Sequence, residues 1–279
     1  MSMSIFTSSS SMAAVNAMNK SNSMLSTAME RLGTGKRINS AADDAAGLQI
    51  ASRLQGQVSG MAVAQRNISD ATALLQTGEG AFDEMTNIMY RMKDLATQGA
   101  NDTNSAADRA AIQGELDQLS AELDNIMGNT SYAGDKLFAA GGKFDDELNF
   151  QIGASAGEAM KLDISDQLDD LRDIVKDLAD LSVDDADDAQ EFMTELETAI
   201  DEVSAMRSTF GANINRLGHS AANLANMKDN TELGLGNIRD ADFAAEATNM
   251  TRNQMLAQTS MSMLRQSNSM SGMVMSLLG

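Results

Sequence analysis

The side chains best suited to chemistry are scattered along this sequence in patterns that do not converge. His219 is the single histidine and there is no cysteine, which removes disulfides, thiol nucleophiles and the common zinc ligand sets. A lone histidine in a helical pattern reads as a solvated or interface residue. Asp184, Asp185, Asp187 and Asp188 form an acidic run, yet they lack the alternating Asp order, the glycine and the distal glutamate of a calcium loop. A solvated link before a helix suits them better, because carboxylates are stabilised near a helix N-terminus. Gly33, Gly35 and Lys36 fall short of a phosphate-binding loop, which needs four residues between its glycines and Ser or Thr after Lys; here Arg37 follows. Asp43 and Asp44 are adjacent, and neighbouring side chains on a helix do not face each other for acid–base work; pairing with Arg31, Lys36 or Arg37 is their expected fate. The 22 methionines recur at helical spacing and read as core or subunit contacts rather than a cofactor cage. No catalytic, cofactor-binding or metal-ligating residue is assigned, no cofactor is expected, and nothing points to an enzyme.

The backbone carrying these residues reads as helical, since proline is absent and helix formers abound. From Ile50, apolar or small residues step by four and three through Leu54, Met61, Ile68, Leu75, Phe82 and Met89 to Ala96. This heptad seam predicts a helix of roughly 70 Å. After a polar link over 99–105, Ile112, Leu116, Leu119, Leu123 and Ile126 predict an antiparallel partner. Glycines at 134, 141, 142, 153 and 157 break the stretch 131–164 into short segments, which predicts one or two β-hairpins. Leu168, Leu171, Val175 and Leu178 mark a further helix, and a third seam runs from Phe192 through Leu196, Val203, Phe210 and Leu217 to Met227. The expected fold class is mainly α: a long antiparallel helical bundle or coiled coil formed by the N- and C-terminal halves, with a small β-hairpin region.

Composition narrows the partners. With 43% hydrophobic residues over 279 there is material for a core. The net charge of −20 opposes binding to nucleic acid or anionic lipid, both of which reward clustered Lys and Arg. No run of about 18 apolar residues suggests membrane insertion. The first twenty residues lack a basic region followed by an apolar one, so a cleaved signal is not expected. The alternatives are a cytoplasmic protein and one exported by a route that reads an uncleaved N-terminus.

The two ends differ in kind from the middle, with heptad order but few charges. Val15, Met18, Asn22, Leu25, Met29 and Leu32 mark the N-terminal stripe, and Phe243, Met250, Met261 and Leu264 lie beside a second C-terminal stripe of Leu256, Met263, Met270, Val274 and Leu277. A helix with apolar residues on several sides needs burial on several sides. The expected subunit-packing residues are Val15, Met18, Leu25, Met29, Leu32, Phe243, Met250, Leu256, Met261, Leu264 and Leu277. Neither end alone has enough Leu or Ile to offset an ordering cost of about 1–2 kcal/mol per residue. Both are therefore expected to be disordered in the monomer and to order on polymerisation.

Two long segments resemble a known family. RLGTGKRINSAADDAAG from Arg31 to Gly47 and QRNISDATALLQTGEGA from Gln65 to Ala81 resemble the N-terminal signature of bacterial flagellin. FGANINRLGHSAANLAN from Phe210 to Asn226, IRDADFAAEATNMTRNQMLAQ from Ile238 to Gln258 and the final SLLG resemble its C-terminal signature. The resemblance covers about residues 1–130 and 190–279. It implies a discontinuous inner helical polymerisation domain over 1–38 and 234–279, an outer helical rod over 39–233 with a β-hairpin near 131–164, and no further outer domain. It also implies a structural subunit that polymerises into the flagellar filament and serves motility. The implied partners are copies of itself, other flagellins, an export chaperone on the C-terminal helix, a filament cap and hook–filament junction proteins, with export by the flagellar type III apparatus to an extracellular filament. A hook–filament junction protein shares the inner plan but not usually NSAADDAAG followed by QRNISDATALLQTGEGA; a cytoplasmic coiled-coil adaptor leaves the thinly charged ends unexplained. The tail RQSNSMSGMVMSLLG departs from many members in having no Val-Pro-Gln segment, so inner-layer contacts do not transfer directly.

The same resemblance extends to a surface read by vertebrate Toll-like innate immune receptors. YRMKDLATQ and IQGEL match that motif at Arg91, Leu95, Gln98 and Glu115. Arg91, Leu95 and Gln98, four and three apart, are expected to share one helix face.

Overall fold

The computed structural model describes residues 9–278 and, within them, every side chain except those at 271, 272 and 274–278. Its elements in chain order are α1 (Ser9–Thr34), α2 (Ala45–Gly99), α3 (Ala106–Asn129), β1 (Ser131–Tyr132), β2 (Asp135–Lys136), β3 (Leu148–Gln151), β4 (Ala159–Leu162), α4 (Ser165–Asp180), α5 (Ala186–Arg239) and α6 (Phe243–Leu278). Two compact units divide them: a terminal unit of the residues up to Val58 and from Asp229 onward, and a central unit Ser59–Lys228. The division falls inside α2 and α5. Among the described residues no helix is long and apolar enough to cross a membrane.

The central unit is built on the heptad seams. Met61, Ile68, Leu75, Phe82, Met89 and Ala96 of α2 are buried, as are Phe192, Leu196, Val203, Phe210, Leu217 and Leu224 of α5. Helices without proline can carry such seams unbroken, and each large apolar side chain so buried contributes roughly 1.5–3 kcal/mol. At the centre the rings of Phe82 and Phe138 lie 4.6 Å apart, Phe82 and Phe210 5.4 Å, and Phe144 and Phe210 5.2 Å. Gly78 makes room for this cluster: a Cβ there would stand 2.7 Å from the Phe210 ring and 3.4 Å from Phe138.

Shorter elements close the bundle. Ser105 caps α3 in a reciprocal box with Asp108, and the hydroxyl and backbone N–H of Ser105 hold the Asp108 carboxyl below its ordinary pKa. On α3 the buried residues are Ile112, Leu116, Ser120, Leu123 and Met127; Leu119 and Ile126 of the expected seam are half-buried. The helix thus turns by about one residue, presenting small Ser120 to the core. Leu168, Leu171, Val175 and Leu178 of α4 are all buried. The acidic link does start a helix: the Asp185 carboxylate accepts the N–H groups of Asp187 and Asp188, each at 2.9 Å.

Two hairpins follow from the glycine-punctuated stretch. β1 pairs with β2 and β3 with β4, both antiparallel, with Leu148 opposite Leu162 and Phe150 opposite Met160. Ala133 (φ 54°) and Gly134 (φ 95°) are both left-handed, the requirement of a tight two-residue hairpin turn. Arg172 of α4 ties the connecting loop to the bundle. Its Nε donates to Phe138 O at 2.8 Å, its Nη2 to Ala139 O at 2.9 Å and its Nη1 to Asp145 Oδ1 at 2.6 Å. The Arg172 hydrogen bond, helped by the Gly141 N–H, holds the Asp145 carboxyl below its ordinary pKa.

Substituting Arg172 with Leu strands two carbonyl acceptors and is expected to lower the unfolding free energy by roughly 1–3 kcal/mol near neutral pH. Because the folded Asp145 pKa is depressed, its share is present above the unfolded value of about 4 and disappears as pH falls through the folded one. The gap between wild type and Arg172→Leu should therefore narrow below about pH 4, as read by denaturant unfolding at a series of pH values.

Candidate polymerisation surface

In the terminal unit α1 packs along α6, so Ser9–Thr34 and Phe243–Leu278 are helical in the structure, where each end taken alone is expected to be disordered; residues 1–8 and 279, part of the same expectation, lie outside the described residues. Each helix supplies the other with a seam that neither could form unaided. The seam selects small and polar side chains: Ser21 and Ala28 on α1, Asn253 and Ser260 on α6, all buried. Small residues let two helix backbones approach closely, which favours Ser21 and Ala28 at the contact over their larger neighbours. Asn22 and Met29 of the expected stripe are exposed instead. Hydroxyl contacts continue the seam, with Ser10 Oγ and Ser267 Oγ 3.0 Å apart.

An ion pair and a clasp fix the register. Arg31 Nη1 meets Glu246 Oε1 at 3.0 Å; among the described residues Arg31 Nε is buried without a hydrogen-bond partner. The links before α2 and α6 are stitched together by Arg37 N–H to Arg239 O at 2.6 Å, Arg37 Nη2 to Ile238 O at 2.8 Å and Ala241 N–H to Gly35 O at 3.0 Å. Gly35 ends α1 in the left-handed region at φ 71°, as a helix-terminating glycine does, with the Phe243 ring beside it. Asp43 and Asp44 do not pair with Arg31, Lys36 or Arg37 as expected. Asp43 instead accepts the N–H groups of Asn39 and Ser40 and the Ser40 hydroxyl, and Asp44 accepts the Gly47 N–H. Backbone donors close by in a turn win over flexible cations, and the Ser40 N–H is the first cause of the lowered Asp43 pKa.

What the pair leaves uncovered is its distinctive feature. Among the described residues, Ala28 is the only buried apolar side chain on α1, and α6 has none. Met12, Met24 and Met29 on α1 are 49–59% exposed. On α6, Phe243, Leu256 and Met261 are exposed, while Met250 and Leu264 are half-buried, as are Val15, Met18, Leu25 and Leu32 on α1. The Leu277 and Val274 side chains lie outside the described residues. A groove of 710 Å³ runs between the helices, lined by Ser21, Met24, Ala28, Arg31, Asn253 and Leu256 among others.

The remaining candidate residues lie in the central unit. Arg91 Nη2 pairs with Glu115 Oε1 at 2.5 Å across α2 and α3, both exposed, and Gln98 is exposed. Leu95, expected to share that face, is 4% exposed and belongs to the core, next to the seam residue Ala96. His219 is exposed on α5.

Two helices with a small-residue seam between them and large apolar side chains outside are the features of a structural subunit. The sequence pattern described as the bacterial flagellin N-terminal helical region matches residues 5–142, and that of the bacterial flagellin C-terminal helical region matches 193–278. The chain belongs to the bacterial flagellin family, and it is a subunit of the flagellar filament rather than an enzyme. It is 39% identical to a flagellin of Halalkalibacterium halodurans over 90% of each chain, and 32% identical to flagellin A of Vibrio anguillarum over the whole of each. The fold is similar to that of Bacillus cereus FlgL, at 16% identity and a TM-score of 0.52, covering 64% of this chain and 96% of that one.

Proposed function

We propose that the subunit assembles by seating the exposed faces of α1 and α6 against the same helices of neighbouring copies, with residues 1–38 and 234–279 forming an inner layer and 39–233 an outer rod. The observation that carries this reading is the mismatch on the two terminal helices. Among the described residues their pairing buries one alanine as apolar core, while Met12, Met24, Met29, Phe243, Leu256 and Met261 are exposed. Ordering costs of about 1–2 kcal/mol per residue over such helices call for burial that the chain alone does not supply. Packing the outward side chains at roughly 1.5–3 kcal/mol each provides it. Val15, Met18, Leu25, Leu32, Met250, Leu264 and Leu277 complete the contact set. Export by the type III apparatus to an extracellular filament, a chaperone on α6, a filament cap and hook–filament junction proteins belong to the same reading, as does sharing of the filament with other flagellins. Purified subunits seeded with filament fragments should elongate them, as read by electron microscopy and sedimentation. Material that stays monodisperse at high concentration with seeds present would overturn the packing.

A second surface has its own support. The Arg91–Glu115 pair displays both groups on the outside of α2 and α3, with Gln98 exposed two turns along α2. We propose that Arg91, Gln98 and Glu115 meet a Toll-like innate immune receptor, with Leu95 setting the backbone beneath them, and that the same face packs on neighbouring subunits in the filament. Arg91→Ala is expected to lower receptor signalling by about tenfold or more, the scale of an interfacial arginine hot spot. A reporter-cell dose response with soluble subunit measures it; an unchanged response from an active wild type would remove the proposal.

A further inference from the structure

Most methionines of the two units sit in opposite environments. In the central unit Met85, Met89, Met92 and Met206 are fully buried, and Met61, Met127 and Met160 are at most 5% exposed. On α1, Met12, Met24 and Met29 stand in solvent. On α6, Met255, Met261, Met263, Met270 and Met273 are 44–63% exposed. Met227, 48% exposed, and half-buried Met193 are the exceptions in the central unit, and Met18 and Met250 are half-buried in the terminal one; otherwise, among the described residues, methionine is core in the first and open surface on α1 and α6.

We propose that these open methionines form an oxidation switch on assembly: hydrogen peroxide converts them to sulfoxides in the unassembled subunit, and the modified subunit no longer joins the filament. The inference rests on the packing of α1 and α6 proposed above. In the reaction the thioether sulfur attacks one peroxide oxygen, an S–O bond forms and the O–O bond breaks. The departing hydroxide takes the proton left on the sulfur-bound oxygen and becomes water. Sulfur gives up two electrons and peroxide accepts them. The product is a polar, chiral group with a strong acceptor oxygen where a flexible apolar chain had been.

Assembly would strip water from that oxygen, and a buried acceptor without a donor is costly. Three hydroxyls on this stretch of α6 are committed, since Thr259, Ser262 and Ser269 donate to carbonyls of their own helix. Arg265 is the only charged side chain of α6 beyond Arg252, so one cation serves the whole methionine-rich half. Once seated between subunits the same sulfurs are shielded, and the finished filament resists the oxidant that blocks its growth.

The test exposes purified full-length subunits and, separately, assembled filaments to hydrogen peroxide and follows each methionine by peptide mass spectrometry. In the free subunit the methionines of α1 and α6 are expected to oxidise at least about tenfold faster than Met85, Met89, Met92 and Met206, as susceptibility follows exposure. Oxidised subunits should need about tenfold or more protein to elongate seeds, and treatment with both methionine sulfoxide reductases should restore growth. Equal oxidation of core and terminal methionines would overturn the switch, as would restored thioethers without restored growth. Untreated subunits that fail to elongate seeds would overturn the packing reading, and this inference with it. Untreated growth beside undiminished growth of the sulfoxide form would overturn the inference alone.

Discussion

Removing Asn253–Gly279 is expected to abolish filament formation while the central unit keeps its fold. The deletion takes Asn253 and Ser260 from the seam with α1, and with them Met255, Leu256, Met261 and Met263, exposed in the single chain. If each large apolar side chain contributes roughly 1.5–3 kcal/mol when an assembled neighbour covers it, the truncation forfeits several such terms per subunit. Every 1.4 kcal/mol raises the concentration needed for assembly tenfold, so a handful of losses moves it out of experimental reach. The central unit has its own core, from Met61 through the phenylalanine cluster to Leu224, and none of those side chains is deleted. The truncated chain should sediment as a soluble monomer, show no filaments by electron microscopy and retain a cooperative thermal transition by circular dichroism. Normal filaments from it would break the link between α6 and polymerisation.

The sequence was most legible where burial is deep and side chains are large. Of the expected seams, the stretches from Met61 to Ala96 and from Phe192 to Leu224 are the core of the central unit, because a 3.5-residue repeat of bulky residues has one way to hide, whereas the outer ends at Ile50 and Met227 are exposed. Turn chemistry was nearly as plain: Gly134 sits in the turn between β1 and β2, and Gly153 and Gly157 lie between Leu148–Gln151 and Ala159–Leu162, so the glycine-broken stretch 131–164 holds two hairpins. The terminal seam was not legible. Hydrophobic periodicity favours Asn22 and Met29 as partners of Met18 and Leu25, but the structure buries Ser21 and Ala28. A close helix pair is selected by small size, which a hydrophobicity pattern scores near zero. Leu95 shows a related gap: the four-residue step from exposed Arg91 says nothing of how far the buried side of α2 extends around Ala96, and Leu95 falls within it. The family signatures carried identity through their residue order, whereas nothing in spacing alone named what Arg31 and Asp43 would bind; those partners, Glu246 and the turn at Ser40, depend on chain geometry.

Two phenylalanines separate core from assembly surface. Phe210 is fully buried against Phe82 and Phe144, so Phe210→Ala removes a ring and leaves a cavity between helices that long heptad seams hold in place. The expected cost is roughly 3–5 kcal/mol of unfolding free energy. For a unit of this size that corresponds to a drop of roughly 6–20 °C in Tm. Phe243 is 59% exposed at the start of α6. Phe243→Ala should change unfolding of the single chain by no more than about 0.5 kcal/mol, as surface substitutions do, yet raise the protein concentration required to elongate seeds. Denaturant unfolding paired with seeded elongation distinguishes the two. If both variants lost stability equally, Phe243 would belong to the subunit's own core; if Phe243→Ala grew filaments at the wild-type concentration, its outward ring would have no neighbour to meet.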